Sequence, residues 1–221
     1  MTASASSRQR ILERIRIATA HIPSTGQIEE TQAHRALPRA YVRHGAMSRE
    51  ACVEQMIVRL REYDAEVVEC SSEQLPDTIA AQLASSGKHV LVAPEGLSAE
   101  WLVAGFDWKI DRGLAIEEIE HAEGVVTAAS CGVADSGTIV LHHGPSEGRR
   151  VLTLLPDWHL CILRASQIVE TLPEYFDRCQ GPPALATYIS GPSATADIEM
   201  TRIKGVHGPR FLHVILVRDE S

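Results

Sequence analysis

The chain lacks the features that nucleic-acid and membrane proteins need. It has 21 lysines and arginines against 29 aspartates and glutamates, a formal net charge of -8, so its average surface repels phosphate backbones and anionic lipid head groups. It also lacks any apolar run near the roughly 18 residues that span a bilayer, because its longest candidates are short stretches such as residues 90–93. We therefore expect neither nucleic acid nor a membrane as a partner.

Cysteine is scarce and unpaired in the sequence. The five cysteines are an odd number, with no C-x-x-C pair and no Cys/His spacing that suits zinc or an iron–sulfur cluster. We expect no metal site and no iron–sulfur cluster on this chain, and we predict a reducing cytoplasm as its location. The N-terminus has no apolar segment of the secretory type. The cysteines are Cys52, Cys70, Cys131, Cys161 and Cys179.

Several sequence motifs of well-known enzymes are also missing. No Gly-Lys-Ser/Thr ends a glycine-rich loop, no G-x-G-x-x-G follows a strand, and no G-x-S-x-G is present. The sequence therefore does not indicate a P-loop, a dinucleotide-binding loop of the Rossmann type or the nucleophile elbow of an α/β-hydrolase. Aromatic residues make up only 5% of the chain, which argues against a stacking platform for bases.

What is present suits one α/β domain. Hydrophobic residues make up 44% of 221 residues, enough for a sizeable core. Residues 8–20 place Ile11, Leu12 and Ile15 on one face of an amphipathic helix. Residues 21–47 have little periodicity and predict an extended arm that crosses the domain or reaches a neighbouring subunit, so a homo-oligomer is possible. The predicted division is an N-terminal helix and arm over 1–47 and an α/β domain over 48–221.

Helices and apolar strands alternate along the second region. This alternation predicts a layered, mostly parallel sheet flanked by helices, in which ligands usually lie beyond the carboxyl ends of strands. The predicted helices are 48–61, 73–84 and 166–179. The predicted strands are 65–70, 89–93, 124–129, 138–142, 151–155, 160–163, 184–189 and 211–217.

Two polar loops adjoin the earlier strands. Glu95 follows strand 89–93 in Pro-Glu-Gly, where it faces a crevice at the strand end or belongs to a simple turn. Residues 130–138 are small, and Asp135, Ser136 and Thr138 around Gly137 offer short polar side chains to a ligand. The same residues also suit a hairpin turn.

Two further loops lie near the C-terminus. Residues 190–199 follow a buried strand, and Ser193 can cap a short helix whose free N–H groups bind an anion near Gly191. Thr195, Asp197 and Glu199 continue this loop, although two carboxylates disfavour a bare phosphate. In residues 204–209 two glycines, Gly205 and Gly208, surround His207, which is either a site residue or a structural histidine.

Three of these four loops carry a resemblance to a known family. Residues 130–138, with Gly-Val-Ala-Asp-Ser-Gly-Thr, and residues 189–217, with S-G-P-S-x-T-A-D-I-E and G-V-H-G-P, resemble the lactate utilization protein C family and its LUD domain. The resemblance implies the fold shared by ribose-phosphate isomerases, glucosamine-phosphate isomerases and CoA transferases. It also implies a role in oxidising L-lactate to pyruvate beside partner subunits that hold iron–sulfur clusters. Asp135 and Ser136 stand where family members more often have Glu and Thr.

We therefore predict a cleft that binds a small anionic metabolite or a nucleotide-like ligand, and the sequence identifies no cofactor. Its catalytic candidates are His207, Asp135 and Glu95. Its ligand-binding candidates are Ser136, Gly137, Thr138, Gly191, Ser193, Thr195, Asp197, Glu199, Gly205 and Gly208. Two alternatives remain open: a non-catalytic assembly or regulatory subunit, and a stand-alone enzyme that acts on a phosphorylated sugar or a CoA ester.

Overall fold

The computed structural model describes residues 7–20, 36–37, 40–179, 183, 185–195, 203–205 and 207–219, with backbone alone at 195 and 203–204. Contacts divide the chain into two units, Met1–Tyr41 and Val42–Ser221. The first unit contains the predicted N-terminal helix, α1 (Ser7–Thr19). Residues 21–35 and 38–39 of the predicted arm lie outside the described residues.

The second unit contains the sheet and the other helices. Its helices are α2 (Arg49–Glu62), α3 (Leu75–Ser86), α4 (Ile116–Glu120) and α5 (Leu172–Arg178). Its strands are β1 (Glu66–Ser71), β2 (Val90–Pro94), β3 (Asp107–Asp111), β4 (Gly124–Ala128), β5 (Cys131–Val133), β6 (Thr138–Leu141), β7 (Trp158–Arg164), β8 (Ile168–Val169), β9 (Thr187–Ile189), β10 (Ala194–Thr195), β11 (Ile203–Lys204) and β12 (Phe211–Arg218).

The main sheet confirms the predicted layered, mostly parallel architecture. Six strands lie in the order β1-β12-β7-β4-β2-β3, and every neighbouring pair is parallel. Two adjacent inner strands, β7 and β12, are buried along most of their length because layers cover both faces. Their near-continuous apolar sequences are typical of such strands.

Each face of the main sheet has its own cover. On one face, Leu75, Ile79 and Leu83 of α3 pack against β7 and β12. On the other face, Met56 and Leu60 of α2 pack with a second, four-stranded sheet in the order β8-β5-β6-β9. The result is a three-layer arrangement whose loops gather at the edges of the main sheet.

Local signals fixed the ends of two predicted helices. Ser48 is the N-cap of α2, and its Oγ accepts a hydrogen bond from the Ala51 N–H at 3.2 Å. The helix α3 ends at Gly87, whose φ of +68° is the left-handed conformation that glycine adopts without strain. Among the described residues, no helix combines the length and the apolar character needed to cross a bilayer.

Two predicted elements differ from the structure. Residues 150–153 form a 3-10 turn instead of part of a strand. The helix predicted over 166–179 starts only at Leu172, because Thr171 caps it with Pro173 in its first turn. The preceding Ile168 and Val169 are β-branched and pair with β5 as β8. Prediction also missed β3, α4 and β5.

Candidate functional site

The predicted site residues divide between two edges of the main sheet. Glu95 directly follows β2, whereas His207 and Gly208 precede β12. Because all the strands of the main sheet run the same way, a residue after one strand and a residue before another lie at opposite edges. A strand of five residues spans about 16 Å, so these side chains do not share one cluster.

One cavity collects the C-terminal candidates, and we call it the His207 cavity. It has a volume of about 300 Å³. Four predicted residues line it: Gly191, Ser193, His207 and Gly208. The sequence analysis missed the other polar residues in its wall, which are Arg150, Thr153, His159, Thr187, Tyr188 and Ser190.

Ser193 joins the two loops that form one side of this cavity. Its N–H donates to the carbonyl of Pro209 at 2.9 Å, and its carbonyl accepts from the N–H of Gly205 at 2.9 Å. Its Oγ accepts from the N–H of His207 at 3.0 Å. The short helix predicted after Ser193 is wrong, because residues 194–195 pair antiparallel with 203–204 as β10 and β11.

This pairing changes the expected chemistry of an anion site. The predicted anion site depends on free N–H groups at a helix start, but the N–H groups of Ser193, Gly205 and His207 already have acceptors in the protein. An anion in this cavity therefore depends on side chains rather than on these amides.

Arg150 is the positive charge at the cavity wall. No carboxylate of the described residues forms an ion pair with it. By contrast, the neighbouring Arg210 donates to both carboxylate oxygens of Asp157 at 2.6 and 2.8 Å, which lowers the pKa of Asp157. Arg150 therefore keeps its charge and its donors available to a ligand.

His159 lies in the cavity wall although it belongs to a buried strand. The residue is 1% exposed, and its Nε2 is 2.8 Å from the Thr127 Oγ1. Burial lowers its pKa to about 4, so the imidazole is neutral at neutral pH. The sequence carries one signal for it: a lone polar residue within the apolar strand 158–163.

A chain of hydroxyl groups connects the hairpin turn between β5 and β6 to the wall of the His207 cavity. Thr138 Oγ1 is 2.7 Å from the Ser136 Oγ and 2.7 Å from the Ser190 Oγ, and Ser190 lines the cavity. Gly137, at a φ of +61°, packs against α2. Asp135 is exposed and lines none of the described cavities.

The carboxyl edge of β2 and β3 forms a separate cavity, the Glu95 rim, of about 740 Å³. Glu95 is exposed there and pairs with Arg112 at 3.2 Å. The buried carboxylate of Asp111 accepts from the Arg149 Nε at 2.8 Å and Nη2 at 2.6 Å, and this contact lowers its pKa. Apart from Arg150, which also borders this rim, its arginines are thus paired with carboxylates.

The remaining candidates contribute less. Gly205 lines a neighbouring cavity of about 490 Å³ that also borders Arg150 and His207. The side chain of Thr195 is not described, and Asp197 and Glu199 lie outside the described residues. These three assignments remain predictions.

Known proteins resemble the chain over most of its length. The family model described as LUD domain matches residues 53–217. The chain belongs to the LUD domain family. A protein of Deinococcus radiodurans named "Lactate utilization protein C" is 38% identical over 77% of this chain and 82% of its own length. A Bacillus subtilis protein of the same name is 32% identical over 70% of this chain and 73% of its own length.

A solved structure supports the same assignment. The crystal structure of a DUF162 family protein from Deinococcus radiodurans has a TM-score of 0.66 and 33% identity, covering 78% of this chain and 99% of that one. The resemblance to the lactate utilization protein C family is thus confirmed. The LUD domain includes every candidate residue from Glu95 to Gly208, and α1 lies before it.

Proposed function

We propose that this chain is a lactate utilization protein whose His207 cavity binds a small anionic metabolite. The similarity to two proteins named lactate utilization protein C, at 38% and 32% identity, supports the biological role. The proposed setting is the cytoplasmic oxidation of L-lactate to pyruvate, together with partner subunits that hold iron–sulfur clusters.

The observation that carries the binding site is the uncompensated charge of Arg150. On a chain with a net charge of -8, a guanidinium without a carboxylate partner is a place where an anion replaces water at little cost. The hydroxyl of Ser190 and the side chain of His207 lie in the same wall and supply further polar groups.

The volume of the cavity favours a small ligand. About 300 Å³ is at the lower end of the range of small-molecule sites. A three-carbon acid fits such a volume with water to spare, whereas a dinucleotide or CoA would extend beyond it. Among the classes predicted from the sequence, the small anionic metabolite is therefore favoured over the nucleotide-like ligand and over the CoA ester.

The proposed roles of the three catalytic candidates differ. His207 borders the cavity and remains the candidate for proton transfer. Glu95 lies at the other edge with Arg112, and Asp135 lies on the outside of the hairpin turn. We propose no contact of either carboxylate with the ligand of the His207 cavity.

Growth tests the biological role. Deleting the gene from its host should abolish or slow growth on L-lactate as sole carbon source and leave growth on glucose unchanged. The wild-type gene on a plasmid should restore growth. Equal growth of the deletion strain on L-lactate, with no second gene of this family in the genome, would overturn the assignment.

Ligand-dependent stabilisation of the purified protein tests the cavity. Lactate, pyruvate, nucleotides and CoA are each added, and the melting temperature is recorded. We expect a rise with a short acid, and a smaller rise in His207→Ala. If every compound leaves the melting temperature of both proteins unchanged, the cavity is not a binding site.

Affinity capture with the tagged chain, probed for iron–sulfur proteins, tests the proposed partners separately.

A further inference from the structure

Two of the five cysteines lie in one layer of the domain, between the second sheet and α5. Cys131 is the first residue of β5, and Cys179 directly follows the last residue of α5. Both belong to an apolar cluster whose other members are Val133, Val140, Val169 and Tyr175. The remaining cysteines pack in the two clusters of the main sheet. Two thiols that are 48 positions apart in the sequence thus share one layer.

The two thiols also border one cavity, which we call the thiol cavity. Its volume is about 580 Å³. The helix α5 packs on β5 and β8, and the Cys179 N–H donates to the Tyr175 carbonyl at 3.1 Å, so these two residues lie on the same side of the helix. The lining residues are Ser130, Cys131, His142, Ser166, Gln167, Tyr175, Arg178, Cys179 and Pro183.

The two thiols differ in their access to solvent. All five cysteines lie within the described residues, and Cys179 is the only one of them that is not buried. Cys131 is 7% exposed, and burial raises the pKa of its thiol to about 11 although the charge of Arg178 opposes this shift. A dissolved reagent therefore reaches Cys179 first, and Cys131 reacts with a group already held in the cavity.

Arg178 makes the thiol cavity attractive to an anion. It is the only arginine, lysine or carboxylate side chain in the wall. The carboxylates nearest to it along α5 have other partners, because Asp177 pairs with Arg43 at 2.8 Å and Glu174 accepts from two backbone N–H groups at 2.7 and 2.9 Å. A guanidinium in a wall without carboxylates favours a negatively charged reagent.

We propose that Cys131 and Cys179 form a dithiol site that reacts with a small disulfide carrying carboxylate groups, which Arg178 attracts into the thiol cavity. This site goes beyond the proposed function, since it uses another cavity and another chemistry. In a reducing compartment such an oxidation is transient and is reversed by thiols.

The reaction consists of two thiol–disulfide exchanges. The thiolate of Cys179 attacks one sulfur of the small disulfide, forms a mixed disulfide and releases the other half as a thiolate. Cys131 then loses its proton and attacks the Cys179 sulfur, which forms the bond between the two cysteines and releases the second half. The protein thiols lose two electrons and two protons, and the small disulfide takes them up and becomes two thiols.

Mass spectrometry of the reduced full chain after incubation with dithiodipropionate tests the pair. The wild type should lose two hydrogen atoms in mass and give one cross-linked peptide pair, which contains Cys131 and Cys179. This bond forms only when the two Cα atoms come within about 7 Å of each other, so it tests their juxtaposition strictly. Cys131→Ala should stop at a mixed disulfide on Cys179, and Cys179→Ala should give neither product.

Cys52→Ala is the matched control. Cys52 is also 7% exposed and borders a cavity whose wall also includes Arg178, but that wall holds no second cysteine. This variant should be oxidised like the wild type. Circular dichroism and the melting temperature of each reduced variant establish that it is folded. A wild type that stays reduced, that stops at a mixed disulfide or that links any other pair of cysteines would overturn the proposal.

A comparison of two disulfides tests the role of Arg178. Dithiodipropionate and hydroxyethyl disulfide share their ethylene arms, but the first ends in carboxylates and the second in hydroxyl groups. Arg178→Met should slow the reaction of Cys179 with dithiodipropionate about threefold to tenfold and leave that with hydroxyethyl disulfide within about twofold. Equal changes with both reagents would overturn the preference for an anion.

Discussion

The Glu95 rim and the His207 cavity both have arginines in their walls, but the two regions treat these charges differently. At the rim, Arg112 and Arg149 each face a carboxylate, Glu95 and Asp111 respectively. Arg150, which borders both cavities, has no such partner among the described residues. An ion pair within the protein leaves little attraction for an added anion, whereas an unpaired guanidinium keeps it. Because Arg150 lies between the two regions, they differ in the paired charges around it: the rim adds two arginines that already have carboxylate partners, whereas the His207 cavity adds hydroxyl groups and imidazoles.

The largest expected effect concerns the stability of the rim. Asp111→Ala should lower the free energy of unfolding by about 2–4 kcal/mol, because it removes a buried carboxylate that accepts from two backbone N–H groups and from the half-exposed Arg149. Glu95→Ala should cost about 0–1 kcal/mol, because its pair with Arg112 is exposed. Urea denaturation measures both, and equal losses would contradict this account of the rim.

The next effect concerns binding. Arg150→Met should weaken the affinity for the best-binding short acid about tenfold to a hundredfold, because a charge-assisted hydrogen bond is lost while the apolar stem is kept. Arg112→Met is the matched control at the rim and should change the affinity less than about twofold. Isothermal titration calorimetry measures the affinity of both variants for the acid. A stronger effect of Arg112→Met would place the ligand at the rim instead.

A smaller effect is the loss of stability when a glycine of each region is replaced by alanine. Gly191, at a φ of +88°, has no room for a Cβ, which would lie 2.6 Å from the Cβ of Tyr63. Gly113 of the rim, at a φ of +101°, has nothing within 4 Å of that position. Gly191→Ala should cost about 2–3 kcal/mol of stability from strain and crowding, and Gly113→Ala about 1–2 kcal/mol from strain alone. Denaturation curves that give the two variants the same midpoint would count against this difference.

The smallest effect is a dependence on pH. Arg149 lowers the pKa of Asp111 below the ordinary value of an aspartate, about 3.9. The stability from this ionisation is present above that value and is lost as the pH falls through the lower, folded-state pKa. The difference in unfolding free energy between wild type and Asp111→Asn should therefore be constant near neutrality and shrink below about pH 4. A difference that grows towards acid would reverse the proposed sign.

Much of the fold could be predicted from local signals. Alternating apolar segments indicated the parallel sheet, Ser48 marked the start of α2, and Gly87 marked the end of α3. Such signals act within a few residues of the chain, so they are visible in the sequence. They failed where pairing with a distant segment decided the outcome, as for Ser193, whose loop pairs with β11 and forms no helix.

The candidate site was predicted less completely. Gly191, Ser193, His207 and Gly208 were identified as site residues and do share one cavity. The sequence analysis combined Glu95 with them because both loops adjoin strands, although one follows its strand and the others precede theirs. It passed over His159, because a residue in a buried strand gives no sign of whether a cavity lies beside it.

The sequence by itself determined the family, the class of fold and most of the helix and strand segments, since each depends on residues that are close along the chain or on a continuous match to relatives. Only the tertiary structure decided which loops line the same cavity, which arginines pair with a carboxylate and which buried imidazole lies beside a cavity. Those properties depend on the order and direction of strands that are far apart in the sequence, and their pairing is set by the packing of the whole domain.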